Sequence, residues 1–337
     1  RRMVHNTSHS EARATIRATM RKMEYKFNNS TELLELCNKH KLPISQIAIR
    51  REMELSKKSR AWIRDKMKDV RDTMWGAIQK GIKNSTKSKY GLVGGDAKKI
   101  YEGMAKMGKM LHSKVTVRAM AYAIATAEQN ARMGKIVAFP TAGGAGVVPG
   151  VLFSTYQHMK SSKRKMLNAL FTSAAVGIAI LEHGGTFSAA KAGCQAEIGV
   201  GTAMAAAGLT EMRGGTPEDC LNAAALALKN MLGLTCDPIG GLVEVPCVKR
   251  NAMGATMAIS ASDITMLGVK SFVPMDEVVE AMMNIASCMD EGVRETAFGG
   301  LAITPTGFGI REKMGLPKVP RKYLKKCHNC KLKNLKI

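Results

Sequence analysis

The chain has 337 residues, enough for a sizeable core, with few aromatic residues and abundant Ala, Gly and Met. Such residues suit closely packed helices, with Met filling irregular gaps. Eight cysteines in a chain this long argue against a disulfide scaffold, and the polar, basic N-terminus lacks the apolar run of a secretory signal. The expected setting is therefore a reducing cytoplasm, where clustered thiols serve metals or catalysis. The formal charge of +24 is unevenly spread: residues 1–100 hold 24 Lys and Arg against 10 Asp and Glu, whereas residues 191–300 hold 7 against 13. The basic excess reads as a solvated face plus a basic tail, and nucleic acid is not an expected partner.

In chain order, residues 1–30 read as a basic arm, 31–310 as an all-α domain of many short, Ala/Gly-rich helices, and 311–337 as a basic, solvated tail. The helical pattern begins near Ser30 or Thr31, either of which suits an N-cap, and continues through Leu33, Leu36 and Cys37. Pro43 opens one or two amphipathic helices carrying Ile44, Ile47, Met53, Trp62, Met67, Met74 and Ile78. Trp62 and Trp75 read as packing residues. A loop over 90–96 ends at Asp96, placed to cap the next helix, and another helix is predicted over 114–133. Further helices are expected at about 151–160, 164–182, 188–211, 216–232, 247–268 and 275–290, separated by Gly-Gly turns. The stretch Met166–Leu181, interrupted by Asn168, Thr172 and Ser173, reads as a buried helix rather than a membrane span. No sustained alternation of period two indicates strands.

Two features look like chemistry. The loop Pro140–Gly150 has four glycines and leads into a helix, so its backbone N–H groups could meet a small anion such as a carboxylate; it also fits an ordinary interhelical turn. Nucleotide binding is unsupported, because the loop lacks a P-loop ending and its βαβ surroundings. The second feature is a set of three cysteines, Cys194, Cys236 and Cys247, spaced 42 and 11 residues apart and each beside a Gly or Pro break. Single cysteines are usually core residues, the reading given to Cys37, Cys220 and Cys288. Thiols presented from loops and helix ends also suit an iron–sulfur cluster, and spacing alone leaves both readings open. His183 reads as a helix C-terminal residue or a neighbour of Cys194. The tail pair Cys327 and Cys330 has no second pair with which to hold zinc.

The motifs Cys194-Gln-Ala-Glu-Ile-Gly, Leu232-Gly-Leu-Thr-Cys236-Asp-Pro-Ile-Gly-Gly, Val245-Pro-Cys247-Val-Lys-Arg-Asn251, Pro140-Thr-Ala-Gly-Gly-Ala-Gly and Thr304-Pro-Thr-Gly307 carry a resemblance. Over about residues 30–310 the sequence resembles the iron–sulfur-dependent L-serine dehydratases, and more narrowly the alpha subunit of their two-chain form. The resemblance implies a [4Fe-4S] cluster on Cys194, Cys236 and Cys247, with one iron free for substrate and no pyridoxal phosphate. It implies L-serine as substrate, converted to pyruvate and ammonia, and a substrate pocket near Thr141, Ala142, Gly143, Gly144, Asn251, Thr304 and Thr306. The catalytic base is expected from a separate beta subunit, because Thr7-Ser8-His9-Ser10 only faintly echoes the family's histidine motif. Two departures stand out: Gly144 where Ser is more usual, and Lys191 in place of a frequent Glu. In single-chain relatives a C-terminal cysteine can occupy the open iron, a role open here to Cys327 or Cys330. A related L-cysteine desulfidase is the alternative reading, and a non-enzymatic nucleic-acid-binding protein a distant one.

Overall fold

The computed structural model describes residues 23–324. Among these residues it is all α-helical and has no strand. The helices are α1 (Ser30–His40), α2 (Ile44–Ser56), α3 (Arg60–Gly81), α4 (Asp96–Gly103), α5 (Lys114–Ala131), α6 (Val147–His158) and α7 (Lys163–Glu182). They continue with α8 (Ala189–Ala192), α9 (Val200–Arg213), α10 (Pro217–Lys229), α11 (Cys247–Met266), α12 (Met275–Cys288), α13 (Pro305–Lys313) and α14 (Arg321–Leu324).

Helix α9 runs through the centre, packed on α7, α10, α11 and α6. Its sequence, rich in Ala and Gly, is buried from Val200 to Thr210. Small side chains let neighbouring backbones approach: a Cβ on Gly208 would lie 2.3 Å from Ser173 Oγ and 2.7 Å from the Ala169 carbonyl oxygen of α7. Helix α7 is long and apolar enough by composition to cross a membrane, yet 67% of that apolar window is buried inside the protein. It is the buried helix that its sequence indicates.

Several helix starts follow ordinary capping chemistry. Ser59, Ser113 and Ser162 accept the first free N–H groups of α3, α5 and α7. Thr216 and Asp219 form a reciprocal capping box on α10, with Pro217 in its first turn. Two starts differ from expectation. The cap of α1 is Asn29, not Ser30 or Thr31, and its side chain accepts from Glu32 N at 2.7 Å. Asp96 does not cap α4: Glu128 of α5 reaches across to accept from Gly95 N and Asp96 N, while Asp96 bonds Lys249 at 2.6 Å. At α1 the cap is simply the residue before the expected ones, whereas at α4 a neighbour fixed by tertiary structure outcompetes the local candidate.

The other departures concern boundaries. The apolar run at 188–211 is not one helix. It breaks at Gly193, passes through a π-helical turn over Gln195–Gly199, and only then becomes α9. The fold starts before residue 31, since Phe27 is fully buried. It also extends past 310: Arg311, Val319 and Tyr323 are buried, so residues 311–324 pack onto the body. Trp75 packs as expected, stacked on Phe153 with centroids 5.1 Å apart. Trp62 is 42% exposed, with Lys58 and Lys66 over its ring, and is a surface residue.

Asp276 ties the two ends of the domain together. From α12 it accepts Ser30 N at 2.8 Å, Thr31 N at 3.0 Å and Thr31 Oγ1 at 2.7 Å, covering the open N-terminus of α1. Burial pulls this carboxyl upward, but the bonds from Thr31 and Ser30 outweigh it and hold it below its ordinary 3.8. A group depressed in the folded state stabilises above its unfolded pKa and loses that contribution as pH falls through the folded one. Asp276→Asn is expected to cost about 1–2 kcal/mol at pH 7. In thermal unfolding, the gap between wild type and variant should close as pH drops below about 4; a pH-independent gap would contradict this.

Candidate functional site

Cys194, Cys236 and Cys247 come from three separate places and meet in the interior. Cys194 follows the Gly193 break and opens the π-helical turn, Cys236 lies in the loop after α10, and Cys247 is the first residue of α11. Their exposures are 0%, 2% and 2%. The loop holding Cys236 is pinned by a short parallel bridge: Cys236 N donates to Val293 O and Glu295 N donates to Cys236 O, both at 2.8 Å. Gln195 fixes the Cys194 turn, donating to Met282 O and accepting from Gly233 N, each at 2.9 Å.

The thiols sense one another. Cys236 donates its S–H to Cys194, and this bond lowers the Cys194 thiol below its ordinary value, helped by the positive charge of Arg250. The same bond, followed by burial, pushes Cys236 up, while burial and then the charge on Cys194 push up Cys247. Ionisation of Cys194 is thus eased while that of Cys236 and Cys247 is opposed, and such a set in a dry pocket calls for added positive charge. Among the described residues no three His, Cys, Asp or Glu side chains converge as ligands of a single ion. A polynuclear cluster asks for a different arrangement, with thiolates spread around several irons, and this donor set fits that chemistry. The remaining described cysteines behave as core or surface residues. Burial, followed by the charge of Glu211, pushes Cys37 to about 12, burial raises Cys220 well above its ordinary value, and Cys288 is exposed.

The glycine loop lies against this centre. Asn251, one helical turn beyond Cys247, is fully buried and makes three bonds: Nδ2 to Gly143 O at 2.7 Å, Nδ2 to Cys247 O at 2.9 Å, and Oδ1 from Gly146 N at 2.9 Å. Thr141 Oγ1 donates to Glu197 Oε1 at 2.5 Å and accepts from Gly144 N at 3.3 Å. Gly143 also bonds Glu197 through its backbone, and a Cβ there would sit 2.5 Å from Glu197 Oε2. Burial raises the Glu197 carboxyl, and the Thr141 hydroxyl works against that rise. At Gly144 a Cβ would lie 2.9 Å from the Glu197 carbonyl oxygen, so the close approach in this chain favours glycine over the more usual Ser. Ala142 is exposed at the loop tip.

Other candidates are placed differently. Thr304 caps α13, accepting from Gly307 N at 3.1 Å and donating to Leu301 O at 2.8 Å; Thr306 is exposed. Among the described residues neither is hydrogen-bonded to the thiols, although their segment meets the Cys236 loop through Leu301 N and Asp237 Oδ2 at 2.8 Å. His183 ends α7 and pairs with Glu280 at 3.1 Å, the helix C-terminal role. Lys191 is exposed, with its charge in solvent. His9, Cys327 and Cys330 lie outside the described residues. Sequence reasoning gave no role to Gln195, Glu197, Asp237 or Arg250. Their signal was adjacency, since each stands within three residues of one of the three clustered cysteines.

The chain matches the family model described as serine dehydratase alpha chain over residues 39–302. It is 46% identical over 288 residues to a probable L-serine dehydratase alpha chain of Bacillus subtilis, covering 86% of this chain and 95% of the relative. It is 41% identical over 284 residues to the L-serine dehydratase alpha chain of Peptoniphilus asaccharolyticus, covering 84% and 97%. Against an L-serine dehydratase of Helicobacter pylori, identity is 38% over 286 residues, which is 83% of this chain but 62% of the relative.

The loop tie is directly testable. Asn251→Leu removes three bonds and strands Gly143 O and Gly146 N, so it should cost about 2–4 kcal/mol in chemical denaturation. Unchanged stability would show that the loop is held by other means.

Proposed function

The chain belongs to the serine dehydratase alpha chain family, whose named members are carbon–nitrogen lyases, and from that premise we propose that it is the alpha chain of an iron–sulfur L-serine ammonia-lyase. The observation that carries the reading is the meeting of three buried thiols from three segments beside a glycine loop. Cys194, Cys236 and Cys247 would hold a [4Fe-4S] cluster. Bound there with three protein ligands, the cluster would supply Lewis acidity toward a substrate oxygen, which hydroxide needs because it leaves poorly.

The reaction is a β-elimination. L-serine loses its α-proton to a base and its hydroxyl as water, and the aminoacrylate tautomerises and hydrolyses to pyruvate and ammonia. The chain's own residues contribute position and dryness. Asn251 and Glu197 both hold the 141–146 loop, leaving its backbone in a set shape for the carboxylate or amino group of substrate. Burial of the thiols excludes bulk water from the centre. The base belongs to a separate beta subunit, a reading supported by the alpha-chain naming of the relatives and by His183 being engaged elsewhere. No pyridoxal phosphate is required, and reduced buried thiols suit a cytoplasmic setting.

The test is anaerobic preparation with the beta partner, followed by iron and sulfide analysis and a pyruvate assay. Near four irons per chain and pyruvate from L-serine are expected. Iron-free protein after reconstitution would overturn the cluster, and faster turnover of L-cysteine would favour a desulfidase.

A further inference from the structure

Arg250 lies one turn into α11, three residues after Cys247, and its guanidinium reaches the segments of the other two cysteines. Nη1 lies 3.5 Å from Cys194 Sγ and 2.7 Å from Thr235 O, and Nη2 lies 2.9 Å from Asp237 Oδ1. Thr235 and Asp237 flank Cys236. One planar group carried by the Cys247 helix thus grips both sides of Cys236 and touches the sulfur of Cys194.

The contacts around it limit its freedom. Asp237 is 5% exposed, and its second oxygen accepts from Leu301 N at 2.8 Å, so the carboxylate that anchors the guanidinium is itself held. Burial opposes charge on Arg250, but Cys194 and Asp237 outweigh it. A lysine could not reproduce this. Its ammonium is a point donor, whereas the fork serves a sulfur, a carbonyl and a carboxylate at once.

We propose that Arg250 is the positioning residue that assembles the three thiol-bearing segments and donates an N–H to the Cys194 sulfur, setting both the retention and the reduction potential of the cluster. The inference rests on the cluster reading above. Groups that orient metal ligands typically change metal affinity about 10- to 100-fold when removed, and hydrogen bonds to ligand sulfur raise a cluster's potential.

The experiment compares wild type, Arg250→Met and Arg250→Lys, each prepared anaerobically with the beta partner. It reads iron per chain, the decay of visible cluster absorption in air, the midpoint potential and the thermal melt. Arg250→Met is expected to lose its cluster about 10- to 100-fold faster and to have a midpoint more negative than wild type. Arg250→Lys keeps the charge without the fork and should fall between the two. If Arg250→Met lacks a cooperative melt, Arg250→Lys carries the decision on the same readouts. Iron-loaded variants with wild-type decay and midpoint would overturn this inference alone. An iron-free wild type would overturn the cluster reading and this inference with it.

Discussion

The buried carboxamide of Asn251 sets the geometry on which the site depends. It joins the carbonyls of Gly143 and Cys247 to the N–H of Gly146, so the glycine loop and the first turn of α11 cannot move independently. An apolar residue there would leave Gly143 O and Gly146 N without partners in a dry interior, a cost large enough to separate the two segments. Because Cys247, Arg250 and Asn251 share that one turn, fixing it also fixes a thiol and the cation beside another.

Charge is the second constraint. Three thiols, Glu197 and Asp237 lie buried within a short distance of each other, and Glu295 adds to the potential felt by Glu197 and Cys236. Such a concentration of acids is costly in a low dielectric unless protons or cations offset it. Arg250 supplies one compensation and shared thiol protons another. The basic surface that dominates the composition plays no part here, which is why net charge was a poor guide to the chemistry.

Much of this was legible in the sequence. Ala- and Met-rich runs punctuated by Gly-Gly turns marked the helices, because small residues and breaks are local properties. The three cysteines stood out because each sits beside a Gly or Pro break. What escaped was decided by partners distant in sequence. The π-helical turn at Gln195–Gly199 lies within a largely Ala- and Gly-rich run, so periodicity alone gave one long helix. Glu128 took the capping role assigned to Asp96, and Asp276 reached α1 from 245 residues away. Thr304, expected near the pocket, caps its own helix, a use that a Thr-Pro pair equally announces.

The central claim is that these three thiols, and not the other buried cysteines, form one ligand set. The most direct measurement is iron content after anaerobic reconstitution of single alanine variants at Cys194, Cys236, Cys247 and Cys220, compared with wild type. The account predicts that the first three fail to retain the full iron complement while Cys220→Ala matches wild type. Full retention with any one of the three replaced, or loss with Cys220 replaced in a folded chain, would contradict it.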